Sequence, residues 1–250
     1  MNEINVAVIG ARGRMGRAVC AAVEGAGDMR LVATLDAGDQ ITPETLGGAD
    51  VAVDFTVPGV TEANVHALVD AGVHAVVGTS GWTEAALGSV HEHVLAAPRP
   101  VGVLVAPNFA LGAVLAMHFA EKAARYFESV EIVELHHPDK VDAPSGTAVH
   151  TAKSIAAARA AAGLGPLPDA TEQSMPGARG ASVEGVPVHS VRLRGLTAHE
   201  EIFFGNPGEQ LTIRTDSFDR SSFMPGVLLA VRGVGRLGGL RVGLEHLLDL

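Results

Sequence analysis

The sequence predicts an α/β fold in two parts: a parallel sheet wound with helices, then a second α+β domain with a mixed sheet. Three observations carry that reading. Short apolar runs alternate with helical segments up to about residue 107, the pattern changes after Asn108, and Gly205-Asn206-Pro207-Gly208 joins two late strands as a hairpin signal. In order, the apolar runs at 6–9, 31–35, 51–55, 74–77 and 101–105 read as buried parallel strands. Helices fall near 15–23 and 62–71, the second closed by Gly72 as its C-cap. The second part runs helix 111–126, strand 130–135, helix 147–162, then strands near 188–193, 199–204 and 210–215. The Pro/Gly-rich stretch 163–187 is longer than an ordinary connector, which leaves a functional flap, an oligomer arm or a plain mobile loop. Beyond Ser222 the tail is apolar, with Pro225 at a helix start, and is expected to return to the first domain. The expected domains are therefore 1–107 completed by 217–250, and 108–216.

Composition narrows the function. With 47% hydrophobic residues in 250, the chain is too apolar to be disordered, and 28 acids against 18 Lys and Arg give a net charge of -10. That balance argues against nucleic acid as a partner. The single cysteine, Cys20, rules out an intrachain disulfide and a Cys-based zinc site and suits a reducing cytoplasm. The start, MNEINVAVIGARGRMG, is unlike a signal peptide, because Glu3 is acidic and Gly10 and Arg12 break the apolar run. The charge-free stretch 101–120 has the length of a membrane span, but Pro107, Asn108 and His118 interrupt it, so no membrane association is expected. Between residues 31 and 98 there is no Lys or Arg against nine acids; cations gather instead at Arg12, Arg14 and Arg17 and again from Arg99 onward. Small anions are expected near those cations.

The first chemical constellation is Gly10-Ala11-Arg12-Gly13-Arg14-Met15-Gly16, directly after a strand and opening a helix. Glycines let the backbone turn tightly and approach a pyrophosphate, whose charge meets the helix N-terminus. The spacing is GxxGxxG, with Arg12 where the GxGxxG fingerprint has its second glycine, so strand context carries much of the argument. Asp36, about twenty residues past Gly16, ends the second strand, where a carboxylate reaches the ribose hydroxyls of an adenosine. The first domain thus reads as a Rossmann-like dinucleotide-binding domain; the plainer alternative is a tight strand-to-helix turn.

The second is Glu134-Leu135-His136-His137-Pro138-Asp139-Lys140-Val141-Asp142-Ala143-Pro144-Ser145-Gly146-Thr147. A proton donor at a strand end, a lysine four residues later and a Pro-Ser-Gly-Thr turn opening a helix suit an active site for an anion. A metal site on His136, His137 and Asp139 is the alternative, opposed by the charge of Lys140, and a plain exposed loop is the other.

Here the chain resembles the 4-hydroxy-tetrahydrodipicolinate reductase (dihydrodipicolinate reductase) family of lysine and diaminopimelate biosynthesis, over essentially its whole length. The segment ELHHPDKVDAPSGTA at 134–148 is similar to that family's signature, and GARGRMG, VDFT at 53–56, GTSG at 78–81 and APNF at 106–109 are similar to its cofactor loops, in the expected order. The resemblance implies that Gly10, Ala11, Arg12, Gly13, Arg14 and Met15 hold the pyrophosphate of NADH or NADPH and Asp36 the adenosine ribose. It implies that Gly78, Thr79 and Ser80, with Ala106, Pro107, Asn108 and Phe109, line the nicotinamide side. It makes His136 the proton donor, Lys140 a second catalytic residue, and His137, Gly146 and Thr147 ligands of a small dicarboxylate. No metal is implied, and a homotetramer joined through the second domains is.

The residues agree with that chemistry: hydride added to a conjugated carbon leaves charge that needs a proton donor, and two carboxylates need a cation and backbone amides. One departure concerns the cofactor. Some relatives carry an arginine after the acid of the second strand, whereas Ala37 and Gly38 follow Asp36 here, so a 2′-phosphate would rely on Arg12 or Arg14. A non-catalytic dinucleotide-binding sensor of a small dicarboxylate is the competing reading, and a titrating donor beside Lys140 speaks against it. His91 and His93 read as surface residues of a helix, Cys20 as core packing, and Met117, His118 and Phe119 as packing or interface residues.

Overall fold

The computed structural model describes residues 3–248 and 250. They divide into two compact units, Met1–Ala110 with Arg220–Leu250, and Leu111–Asp219.

The first unit opens with β1 (Ile4–Ile9), α1 (Arg14–Gly25), β2 (Met29–Leu35), β3 (Val51–Asp54), α2 (Pro58–Ala71), β4 (His74–Val77), α3 (Glu84–Ala96) and β5 (Gly102–Val105). Helices cover the parallel strands, so β3 and β5 are buried at every position and read as apolar runs without alternation. Helix α2 begins with Pro58, whose fixed φ suits a first turn, and ends at Gly72 in the left-handed region, with φ 71°. Helix α3 is capped by Thr83, whose hydroxyl accepts from the Ala86 amide at 3.1 Å.

The second unit follows with α4 (Leu111–Ala123), β6 (Ser129–His136), α5 (Gly146–Ala161), β7 (Ala181–Val183), β8 (Val186–Arg192), β9 (Ala198–Asn206) and β10 (Glu209–Ser217). Its five-stranded sheet has the order β10-β9-β6-β8-β7, with β6 and β8 parallel and the other pairs antiparallel. Alternation along β6 sends Val130, Ile132 and Glu134 to one face, where Ile132 packs with Ile202, Phe204, Val188 and the Ala148, Ala152 and Ile155 face of α5. Each large apolar side chain so buried contributes roughly 1.5–3 kcal/mol. The chain then returns to the first unit through α6 (Met224–Gly233) and β11 (Gly239–Val242).

The first sheet is therefore six-stranded and wholly parallel, in the order β11-β5-β4-β3-β1-β2. The chain leaves β1 toward β2 and then crosses to β3 on the other side of β1. That reversal opens a crevice at the carboxyl ends of β1 and β3, the place where doubly wound sheets bind nucleotides.

Several details differ from the expectations. Strand β11 was not anticipated, since it has four residues, two of them exposed. The 163–187 stretch is not featureless: β7 forms a hairpin with β8, turning through Glu184 (φ 49°) and Gly185 (φ 86°), and Arg179 pairs with both Asp169 and Glu131. Helix α4 stops at Ala123, three residues early. Cys20 is only half buried, because α1 turns Gly16, Val19 and Val23 to the core instead. His93 is more than a surface residue: it stacks on His66 and bonds Asp70 at 3.0 Å.

Candidate active site

The candidate residues fall into two groups, one on each unit. On the first unit the glycine loop fills the crevice after β1. Gly10 has φ 79°, and a Cβ there would lie 2.5 Å from the Phe55 carbonyl oxygen. A Cβ on Gly16 would lie 2.0 Å from the Gly10 carbonyl oxygen. The loop is thus pressed between the ends of β1 and β3 and the start of α1. No side chain caps α1, whose N-cap is Gly13. The first-turn amides thereby suit the pyrophosphate of a dinucleotide, and Arg14 and Met15 sit in that turn.

Asp36 lies one residue past β2 and faces this loop. Its carboxylate accepts from the Arg12 amide at 3.1 and 3.2 Å, and the Arg12 guanidinium, 88% exposed, stands 3.5 Å away. Carboxylate and cation therefore share one corner at the end of β2. A carboxylate suits free ribose hydroxyls, whereas a guanidinium suits a 2′-phosphate.

On the β3 side, Asp54 is fully buried, and its role was not foreseen. Its carboxylate accepts from the Thr56 amide (2.9 Å) and hydroxyl (2.6 Å), the Asn64 amide group (2.9 Å) and the Thr79 hydroxyl (3.2 Å). Thr79 in turn accepts from the Thr56 amide at 2.9 Å. Asp54 thus ties the loop after β3 to the 78–81 loop after β4. Of the residues expected beside the nicotinamide, Thr79 is buried and directs its side chain inward, whereas Ser80 and Pro107 are exposed. Gly78 is required by Phe55, whose ring comes within 2.0 Å of where a Cβ would sit, and Phe55 in turn packs on Phe109 at 5.6 Å. Asn108 folds back so that its side-chain oxygen accepts from the Ala110 amide at 2.9 Å, and Ala106 is buried.

On the second unit, His136 is the last residue of β6 and shares a face with Glu134 two residues before it. His136 Nδ1 and Glu134 Oε2 are 2.5 Å apart. Glu134 is fully buried and also takes a bidentate pair from Arg192 at the end of β8, both bonds 2.8 Å, and the Ser145 amide at 3.2 Å. Burial pushes the Glu134 carboxyl up, but the bonds from Arg192, Ser190 and His136 outweigh it and hold the group below its ordinary value. Burial, with the charges of Lys140 and Arg192, likewise pushes His136 below its ordinary value against the upward pull of Glu134. A depressed imidazolium is a stronger acid, and with Nδ1–H on Glu134 its Nε2 is the nitrogen left to give a proton.

Lys140 and the start of α5 converge on one carboxylate. Lys140 Nζ is 2.7 Å from Asp142 Oδ1, and the Gly146 amide donates to Asp142 Oδ2 at 3.3 Å. Those contacts hold the Asp142 carboxyl low. Ser145 caps α5, its hydroxyl accepting from the Ala148 amide at 3.2 Å, while Thr147 lies in the first turn and His137 is exposed. An internal carboxylate thus occupies a cradle made of an ammonium and a helix-start amide, which is what a substrate carboxylate would need.

Glu134, Arg192, Asp142 and Asp54 were not singled out from the sequence. Glu134 had a signal, since a strand repeats every two residues and places it beside His136. Arg192 had none, lying 58 residues from Glu134.

A crevice suited to a nucleotide in one unit and an acid-bearing cradle for an anion in the other fit a nicotinamide-linked oxidoreductase. Comparison with known proteins narrows the class. Residues 4–109 match the family described as dihydrodipicolinate reductase, N-terminus, and residues 112–248 its C-terminus. The 4-hydroxy-tetrahydrodipicolinate reductase of Beutenbergia cavernae is 65% identical over 99% of each chain, and that of Nocardia farcinica 59% identical over 99% of each. A dipicolinate-bound dihydrodipicolinate reductase from Paenisporosarcina sp. TG-14 has a TM-score of 0.88 at 39% identity, covering 98% of this chain and 100% of that one. A C. glutamicum DAP dehydrogenase, at 14% identity and a TM-score of 0.59 over 100% of this chain and 96% of that one, shares the fold alone. The chain belongs to the dihydrodipicolinate reductase family.

Proposed function

We propose that this chain reduces 4-hydroxy-tetrahydrodipicolinate to tetrahydrodipicolinate with NAD(P)H, water being lost before reduction, in lysine and diaminopimelate biosynthesis. The observation that carries the reading is the Glu134-held His136 beside a cradle in which Lys140 and the Gly146 amide already grip a carboxylate. When bound, the reduced nicotinamide supplies the hydride. The glycine loop, Gly10 to Met15, holds its pyrophosphate, and Asp36 accepts from the adenosine ribose. Arg12 beside Asp36 meets a 2′-phosphate, so we assign a modest preference for NADH with NADPH accepted. The segments 78–80 and 106–109, braced by Asp54 and Phe55, line the nicotinamide side.

In the substrate group a ring carboxylate takes the place of Asp142 on Lys140 and the Gly146 amide, with His137 and Thr147 as further ligands. Hydride arriving at the conjugated carbon leaves electron density on the imine side, which Lys140 steadies and His136 protonates from Nε2. Arg192 keeps Glu134 ionised, and Glu134 keeps the His136 ring oriented and in one tautomer. Among the described residues no helix is long and apolar enough to cross a membrane. The reading adds a homotetramer, as the family resemblance implies, working in the cytoplasm where reduced nicotinamide is made.

The test is steady-state kinetics with freshly generated substrate for wild type and His136→Gln. The variant should lose about a hundredfold or more in kcat with cofactor affinity nearly unchanged, as removal of a general acid predicts. Wild-type turnover in the variant would remove His136 from the donor role.

A further inference from the structure

Behind the Glu134 network lies a second buried carboxyl that the mechanism above does not use. Glu200 on β9 is the direct cross-strand partner of Glu134 on β6, and the two side chains point to the same face of the sheet. Such partners have Cβ atoms about 5 Å apart. Glu200 is 5% exposed, and its Oε1 has no hydrogen-bond partner among the described residues. Its polar contact is a hydrogen bond with the side chain of Thr151 on α5.

Thr151 favours the charged form of Glu200, but its hydroxyl has one hydrogen, engaged by the Thr147 carbonyl at 3.0 Å, so it offers a carboxylate only weak support. A neutral acid explains the bare Oε1, because a buried carboxylate short of partners is far costlier than a buried carbonyl oxygen.

Among the described residues no other group supplies a counter-charge. On β10 the paired residue is Thr215, and β6 offers Glu134, of like charge. Helix α5 keeps His150 and Lys153 exposed, and α4 turns Ala113, Ala116 and Ala120 inward while Glu121 and Lys122 are exposed and His118 lies half-buried against Phe119. On β9 itself, His199 and Glu201 alternate to the other face, where His199 bonds Asp216 and Glu201 meets Arg214. Arg192 and His136 are both bonded to Glu134. Burial, with Glu134 next door, pushes the Glu200 carboxyl up to about 7 against the pull of Thr151.

We propose that Glu200 is a positioning residue that stands as a neutral acid in the resting enzyme, and that its ionisation sets how firmly His136 holds the proton it donates. The inference rests on His136 being the proton donor. Once Glu200 is charged, two carboxylates rather than one favour the imidazolium, so His136 keeps its proton to higher pH.

Two measurements test this. In pH profiles of kcat for wild type and Glu200→Gln, the neutral isostere should keep the rate at the acid end. Its alkaline limb should move down by about half a unit to one unit, the size of one charge acting over roughly 10 Å inside a protein. Superimposed limbs, or equal loss at every pH, would overturn the proposal. In the wild-type protein, carbon NMR of labelled glutamate carboxyls should show one group titrating near 7 that is missing in Glu200→Gln or Glu200→Ala. If Glu200 titrates with the surface glutamates, the proposal fails even in an active reductase. If the wild type reduces nothing, the functional reading fails while the NMR result still decides the state of Glu200.

Discussion

Replacing Glu134 with glutamine should separate positioning from packing in this site. The substitution keeps the shape and removes one charge from a group that is fully buried and accepts hydrogen bonds from His136, twice from Arg192, from the Ser145 amide and from Ser190. An amide has one accepting end and one donating end, so at least one of those donors meets another donor. Arg192 is left with the carbonyls of Val191 and Asp142, at 2.8 and 2.7 Å. Breaking a buried ion pair costs about 3–5 kcal/mol, and because the Arg192 side chain is 20% exposed the lower end applies, about 3 kcal/mol of folding stability. The catalytic loss is separate. His136 without its carboxylate no longer keeps its proton donor on Nε2 in a fixed orientation, so kcat should fall by about a hundredfold or more with cofactor affinity unchanged. The pH dependence has a definite sign. The Glu134 carboxyl is held below its ordinary value in the fold, so its stabilisation is present above the ordinary carboxylate range and is lost as pH falls through the lowered value. Urea unfolding at several pH values should show wild type losing part of its advantage over Glu134→Gln on the acid side. The reasoning is refuted by a variant with wild-type kcat, or by a stability difference that does not change with pH.

Three further outcomes follow from the same geometry. Asp36→Ala should shift the ratio of kcat/KM toward NADPH, from a wild-type preference for NADH within about tenfold, because it removes the ribose acceptor and frees Arg12 together; a ratio indifferent to the change, at one fixed salt concentration, would mean the adenosine corner is elsewhere. Lys140→Ala should raise KM for the dicarboxylate and lower kcat, since the ammonium now paired with Asp142 at 2.7 Å would serve both substrate and transition state; an unchanged KM would show that it is no substrate ligand. Gly16→Ala would place a Cβ 2.0 Å from the Gly10 carbonyl oxygen, so it should destabilise the protein by about 2 kcal/mol or more and weaken NADH and NADPH alike, as fluorescence titration of both would reveal.

The sequence was most legible where local rules suffice. Continuous apolar runs marked β3 and β5 because strands covered on both faces need no alternation, and the Gly-Asn-Pro-Gly signal marked the turn between β9 and β10. Strand β11 escaped because it is defined by its pairing with β5, its own residues being Gly-Leu-Arg-Val. The β7–β8 hairpin escaped because its Glu184-Gly185 turn lies within a long Pro/Gly-rich stretch that hides it. In the candidate site, the segment carrying His136 and Lys140 stood out by residue type, while what holds it did not. Arg192 reaches Glu134 across a parallel strand pair, and Asp54 gathers donors from Thr56, Asn64 and Thr79; such convergence belongs to tertiary structure and has no spacing of its own.

The central claim is that this chain delivers a hydride from a nicotinamide to its dicarboxylate substrate. Its most direct test is a turnover with reduced cofactor deuterated at the transferable C4 position, the product being analysed by mass spectrometry. The account predicts one cofactor oxidised per tetrahydrodipicolinate formed, with one cofactor-derived deuterium on product carbon, and the same product without it when the label is placed on the other C4 face. Product formed without label from either face, or cofactor oxidised without product, would contradict it.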